Sequence, residues 1–221
     1  MKTQDLIDAC KTEWLSYVDH SYIQQLMAET LNKDAYFHYL QQDFLFLKHY
    51  ARAYALAIYK SASLNEMKEA LPSLTALLAT EISHHVNYCK QFGFTETSME
   101  QVPEAAGTVA YTRYVLDCGL QGDRTDLMVA LAPCGLGYAE IGRNHGHLLD
   151  TNPNHEFKDW LSIYKADDFQ ESAQVCTERL DIMMADISLQ SPKGQRLCEI
   201  FKTATRMEAA FWQQALDSLQ A

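Results

Sequence analysis

No cluster of lysines and arginines occurs in these 221 residues, whose 18 basic and 29 acidic side chains leave a formal net charge of −11. Binding nucleic acid through its phosphates requires a basic patch, so the charge pattern excludes nucleic acid as a direct ligand. No stretch offers 18 uninterrupted apolar residues, and the opening MKTQDLIDACKTEWL carries charges where a secretory leader needs an apolar segment. The expectation is a soluble, cytoplasmic protein with no membrane partner. The six cysteines (Cys10, Cys89, Cys118, Cys134, Cys176 and Cys198) form no C-x-x-C pair. That removes the zinc knuckle and the dithiol redox motif, and free thiols in a reducing compartment fit instead. The five prolines are scattered, there is no Ser/Gly-rich linker, and no repeat of fixed period is present. With 48% hydrophobic residues the chain can bury one substantial core, so a single domain over residues 1–221 is expected.

What the chain does contain is apolar periodicity in steps of three and four with only nine glycines, the signature of an all-α protein. Helices are expected over 4–19, 22–30, 33–61, 64–70, 73–92, 104–118, 124–149, 155–164, 168–188 and 192–219. Ser63 with Glu66 reads as a capping box, and Ser191 before Pro192 as an N-cap with proline in the first turn. Gly93 and Gly119 read as C-terminal stops.

Four residues stand out of place on the inward faces of these helices. The third helix runs Tyr36, Leu40, Asp43, Leu47, Tyr50, Tyr54, Ile58. The last runs Leu197, Phe201, Ala204, Glu208, Phe211, Ala215, Leu219. The segment after Asp123 places Cys134 between Leu131 and Tyr138, and the one before Gly93 gives Leu74, Leu78, Glu81, His85, Tyr88, Phe92. An unpartnered ionised carboxylate is very unfavourable on a buried face, so Asp43, Glu81 and Glu208 require hydrogen-bond partners, protonation or a shared polar cavity. Three acids and a thiol on four helices suggest one cavity. A single buried acid is more often structural, and a free cysteine packs well in any core; it is the coincidence at four mid-helix positions that points to chemistry. Phe46, Tyr50, Tyr111, Tyr138, Tyr164 and Phe211 lie near these positions and could wall a pocket for a flat ring.

The stretch ALAPCGLGYAEIG, residues 130–142, puts Pro133 one residue before the thiol and Gly135 and Gly137 after it. A proline inside a helix removes a backbone hydrogen bond, and the glycines remove bulk, an arrangement that can open Cys134 to a ligand. A di-metal bundle would need two E-x-x-H motifs with two further carboxylates. One is present, Glu81-Ile-Ser-His84. His20, at the end of the first helix, is a lone candidate for a haem ligand.

Assembled, the segments YLQQDFLFLKHYARAYA, LAPCGLGYAEIG, WLSIYKADDF and MEAAFW resemble the thiaminase II (TenA-type) family over nearly the full length. The resemblance implies a haem-oxygenase-like multi-helix fold that binds no haem, and needs no metal or organic cofactor. It implies hydrolysis of an aminopyrimidine in thiamine salvage: 4-amino-5-aminomethyl-2-methylpyrimidine to its hydroxymethyl counterpart, with thiamine as a slower substrate. It makes Cys134 the nucleophile, Glu208 the acid/base and Asp43 the carboxylate that binds the pyrimidine and positions the cysteine. Tyr111, Tyr138, Tyr164 and Phe211 become pocket walls, and Glu81 with His84 and His85 a structural network. Phe46 stands where many members carry tyrosine, which removes any hydrogen bond from that hydroxyl, and Gly135 and Gly137 stand where some carry bulky aromatics, a change that could widen the pocket. A homotetramer is also implied. Two other functions belong to the same comparison. A cofactor-synthesis oxidase of the pyrroloquinoline-quinone synthase type would want a basic pocket for a polycarboxylate, and a non-enzymatic regulator would have no use for a thiol beside two acids.

Overall fold

The apolar stripes become helices, and their interruptions explain most of the differences from expectation. The structure, a computed structural model, describes residues 1–220. Among the described residues the elements are α1 (Thr3–Ala9), α2 (Lys11–Val18), α3 (Ser21–Met27), α4 (Lys33–Tyr59), α5 (Leu64–Ala76), a π-helical segment (Leu77–Glu81), α6 (Ile82–Lys90), α7 (Glu96–Glu100), α8 (Ala106–Gln121), α9 (Arg124–His145), α10 (Leu148–Thr151), α11 (Lys158–Lys165), α12 (Asp167–Met183), α13 (Pro192–Asp217) and a closing 3₁₀ turn (Ser218–Gln220). There is no strand among them. No helix of the described residues is long and apolar enough to cross a membrane.

The capping signals behave as the side-chain chemistry requires. Ser63 accepts from the Glu66 N–H, 3.2 Å away, and Ser191 from the Gly194 N–H at 3.0 Å. Gly93 stops its helix by adopting φ +85, a left-handed conformation that glycine takes without penalty. Gly119 is no stop. It lies inside α8, where a Cβ would stand 2.7 Å from Leu56 Cδ2 and 3.0 Å from Leu127 Cδ1, so the missing side chain serves close packing. Pro72 likewise sits inside α5 without ending it. The expected helix over 4–19 is instead two, broken at Cys10, whose φ −129 and ψ 36 are not helical.

The chain forms two compact units. One comprises Met1–Asn32 with Met128–Gln213, the other Lys33–Leu127 with the described residues from Gln214 on. The core of the first unit is aromatic. Trp14 stacks on Phe201 (ring centroids 5.8 Å), Tyr22 on Trp212 (4.9 Å), and the Trp14 indole donates to Glu140 at 3.0 Å. In the second unit Gln42 fixes the start of α8: its side-chain oxygen accepts from the Ala105 N–H (2.9 Å) and the Thr108 hydroxyl (2.7 Å) while its amide donates to Pro103 (3.0 Å). Thr108 and Gln214 exchange two further bonds. Buried polar groups joined this completely hold α8 in register on α4.

The face expected to carry Leu74, Leu78, Glu81 and His85 is corrected by the π-helical segment. A wider turn carries one extra residue, which rotates the stripe. Leu77 is buried, Leu78 is 55% exposed, and Glu81 is exposed. Leu219 is also outside the core, at 44% exposure, because the last helix ends at Asp217.

Candidate active site

In the first unit the site residues gather around a side chain that the apolar stripes gave no reason to select, Tyr17 on α2. Tyr17 is fully buried. Its phenol pKa is held well above the ordinary value, first by burial and then by the charges of Glu208, Cys134 and Tyr164. The hydroxyl makes no hydrogen bond of good distance and angle, and Glu208 lies beside it. The buried carboxyl of α13 and the half-buried thiol of α9 therefore both act on the charge of one phenol.

This arrangement depends on Gly137. A Cβ there would lie 2.5 Å from Tyr17 Cζ and 2.6 Å from its hydroxyl oxygen. The space freed by Gly137 is filled by the Tyr17 ring and is not a widening of the pocket, as the sequence had suggested. Gly135 does face open space, with nothing within 4 Å of a Cβ. Helix α9 runs through Pro133 without a break, and Cys134 sits one residue past the missing N–H.

Four residues after the thiol, Tyr138 is buried against Tyr164 (4.6 Å between centroids), Trp212 (5.3 Å) and Trp160 (5.9 Å). Tyr164 is fixed through its backbone. Gln170 donates both to the Tyr164 carbonyl (2.6 Å) and to that of Ala139 on α9 (3.0 Å), joining the end of α11 to the helix that bears the cysteine. Phe211, one turn after Glu208, lies edge-on to Trp212 at 6.5 Å.

In the second unit Asp43 is buried on α4. Burial pushes its carboxyl pKa up to about 6, opposed by His85. Phe46 is buried one turn later, stacked on Tyr111 (5.1 Å) and Tyr50 (5.4 Å). Much of Glu81's surface reaches solvent, yet its carboxyl lies close enough to Asp43 to have a raised pKa; desolvation is the larger cause and the Asp43 charge the second. His20 is occupied as the N-cap of α3, its Nδ1 accepting from the Tyr22 N–H at 3.2 Å. Among the described residues no three His, Cys, Asp or Glu side chains gather as metal ligands.

The TENA/THI-4/PQQC family model matches residues 7–218. The chain belongs to this family. An uncharacterised protein of Haemophilus influenzae is 39% identical over 97% of this chain and 98% of its own length. The aminopyrimidine aminohydrolase of Halalkalibacterium halodurans is 30% identical over 95% of this chain and 93% of its own. Among solved structures, a TenA family transcription regulator from Silicibacter sp. TM1040 superimposes with TM-score 0.89 at 37% identity, covering 96% of this chain and 95% of that one. A Shewanella denitrificans domain with a heme oxygenase-like fold shares the architecture at TM-score 0.66 and 12% identity, over 100% of this chain and 94% of its own. The expected haem-oxygenase-like, all-helical fold of the TenA family is thus the fold observed.

Proposed function

We propose that this TenA-family chain is a thiaminase II-type hydrolase of thiamine salvage, replacing the amine of 4-amino-5-aminomethyl-2-methylpyrimidine by hydroxyl and cleaving thiamine more slowly. The observation that carries this reading is that a half-buried thiol, Cys134, and a buried carboxyl, Glu208, both act electrostatically on the buried Tyr17 phenol, in a unit rich in packed aromatic rings. The likeness to aminohydrolases named for aminopyrimidines supports the substrate class.

Cys134 is the nucleophile. As its thiolate adds to the ring carbon beside the one bearing the aminomethyl group, the sulfur–carbon bond forms and the electron pair of the attacked bond moves into the ring. That pair then expels the amine from the methylene, and Glu208 gives the departing nitrogen its proton. Water adds to the methylene, Glu208 recovers a proton, and the sulfur leaves. Asp43 holds the aminopyrimidine edge, while Tyr138, Tyr164, Phe211, Tyr111 and Phe46 supply ring contacts. This sequence of steps asks for no metal or organic cofactor.

Cys134→Ser is expected to abolish turnover with the fold intact, because a serine hydroxyl without a dedicated base is a far weaker nucleophile. Iodoacetamide should inactivate the protein by modifying Cys134, with a pyrimidine ligand protecting it. Buried Cys89 is a poor competitor for the reagent, its thiol pKa being pushed up to about 12 by desolvation and by Asp43. Turnover by the serine variant within a few-fold of wild type would remove Cys134 from the mechanism.

A further inference from the structure

Tyr17 carries an oxygen that the packing around it does not need. Its ring lies over Gly137 of α9, edge-on to Trp14 (ring centroids 5.9 Å) and stacked on Trp212 of α13 (6.4 Å), contacts that phenylalanine would make equally well. The side chain is fully buried, and its hydroxyl finds no partner of good hydrogen-bond geometry. A buried hydroxyl left unbonded destabilises a fold, so its presence calls for a second use. Its place points to one. Gly137, whose absent Cβ would stand 2.6 Å from the hydroxyl oxygen, comes three residues after Cys134, and Trp212 comes four residues after Glu208. Residues so spaced share a helix face. The two helices that grip the phenol therefore carry the thiol and the carboxyl one turn earlier, all within the first unit.

We propose that Tyr17 is a positioning residue for Glu208: its hydroxyl is a donor held ready for the negative charge of that carboxyl, and so eases release of the carboxyl proton. This role rests on the hydrolase reading above, in which Glu208 protonates the departing amine. The phenol keeps its hydrogen at every working pH, because burial first and then the charges of Glu208, Cys134 and Tyr164 hold its pKa well above the ordinary value. Of these three groups Glu208 acts most strongly, and carboxylate oxygens accept better than sulfur. A protonated carboxyl is a modest acceptor and an ionised one a strong acceptor, a difference that grows where water is shut out; Glu208 is 2% exposed. When the Glu208 proton passes to the amine nitrogen, the Tyr17 hydrogen turns to the new carboxylate and makes the bond that the resting fold leaves unmade. Tyr17 itself neither gains nor loses a proton. An interaction that strengthens as the proton leaves lowers the barrier to its leaving without tightening the hold on substrate.

The test compares Tyr17→Phe with wild type by NMR titration of the Glu208 carboxyl carbon in substrate-free protein, assigned with Glu208→Gln, together with kcat, KM and Tm. The phenylalanine keeps the ring on Gly137 and Trp212 and removes only the oxygen. Loss of a donor to the ionised form should raise the Glu208 midpoint by about 1 pH unit and lower kcat about tenfold. KM should stay within about twofold, and Tm should not fall, because the variant buries no unbonded hydroxyl. Replacing Tyr17 by 3-fluorotyrosine, with the fluorine on the ring edge away from Gly137, keeps the hydroxyl and makes it a stronger donor, so the midpoint should then fall. A merely structural Tyr17 would lower Tm in Tyr17→Phe and leave the Glu208 midpoint where it was; an unchanged midpoint overturns the proposal. If Tyr17→Phe does not fold, the direction of the shift in the fluorotyrosine protein decides. A wild-type protein that turns over no aminopyrimidine would overturn the functional reading instead, while the midpoints would still judge whether Tyr17 stabilises the ionised Glu208.

Discussion

Glu208 is 2% exposed on a helix face otherwise made of Leu197, Phe201, Ala204 and Phe211, and a core of that kind admits an acid only where its charge is answered or its proton retained. As the general acid of the proposed reaction it is expected to be replaceable in shape but not in function. Glu208→Gln keeps the size and much of the hydrogen bonding and loses the proton, so kcat should fall by roughly 10² to 10⁴ while KM changes less. Steady-state kinetics beside a melting curve decides the matter. Full kcat together with a lowered Tm would make Glu208 a structural acid. Asp43 and Glu208 were legible in the sequence because a carboxylate interrupts an apolar stripe and leaves a visible fault. Tyr17 was not, since a buried tyrosine among Trp14 and Val18 continues its stripe, and its one sign is a glycine 120 positions away in sequence that a Cβ could not replace.

At the scale of elements, the position of Tyr164 is set by how closely α9 approaches the end of α11. A Cβ on Gly142 would collide with the Tyr164 carbonyl and stand 3.0 Å from the Lys165 nitrogen, and backbone cannot rotate away as a side chain can. Gly142→Ala is therefore expected to push α11 outward. Overpacking of this sort costs about 1–3 kcal/mol, which exceeds the fraction of a kcal/mol that alanine gains over glycine inside a helix. Thermal unfolding should show the loss, and kcat/KM should fall with it because Tyr164 leaves its partner Tyr138; a Tm at or above wild type would mean that the α9–α11 contact is not as close as described. The long elements were legible: 33–61 was expected and Lys33–Tyr59 is found, 192–219 was expected and Pro192–Asp217 is found. The failures have local causes. The expected helices 64–70 and 73–92 leave Pro72 between them, yet α5 passes through it, and the π-helical turn that follows adds a residue that no periodicity can announce. Gly119 reads as a stop because a glycine that ends a helix and one that admits a neighbour look alike in sequence.

For the whole molecule, the buried carboxyl of Asp43 links stability to pH with a definite sign. Its folded pKa of about 6 lies above the ordinary 3.8, so between those values the folded chain binds more protons than the unfolded one. Stability then falls as pH rises through that window, and the full loss persists above it. A rise of this size corresponds to about 3 kcal/mol at neutral pH. Asp43→Asn has no charge to desolvate and keeps nearly the same volume, so it should melt higher than wild type at pH 7.5, with the difference shrinking toward zero as the pH is lowered below about 4. Other groups work in the opposite sense; Glu104, whose pKa the Arg113 hydrogen bond holds down, stabilises the fold at neutral pH and ceases to do so in acid. Taking the difference between the two proteins at each pH cancels such groups and isolates Asp43. Activity should move the other way, because the charged hydrogen bond that Asp43 is proposed to offer the pyrimidine becomes a neutral one in the asparagine variant. A variant that melts lower than wild type at pH 7.5, or whose advantage does not change between pH 4 and 7.5, would show that Asp43 carries no such strain and that its charge is answered in full within the fold.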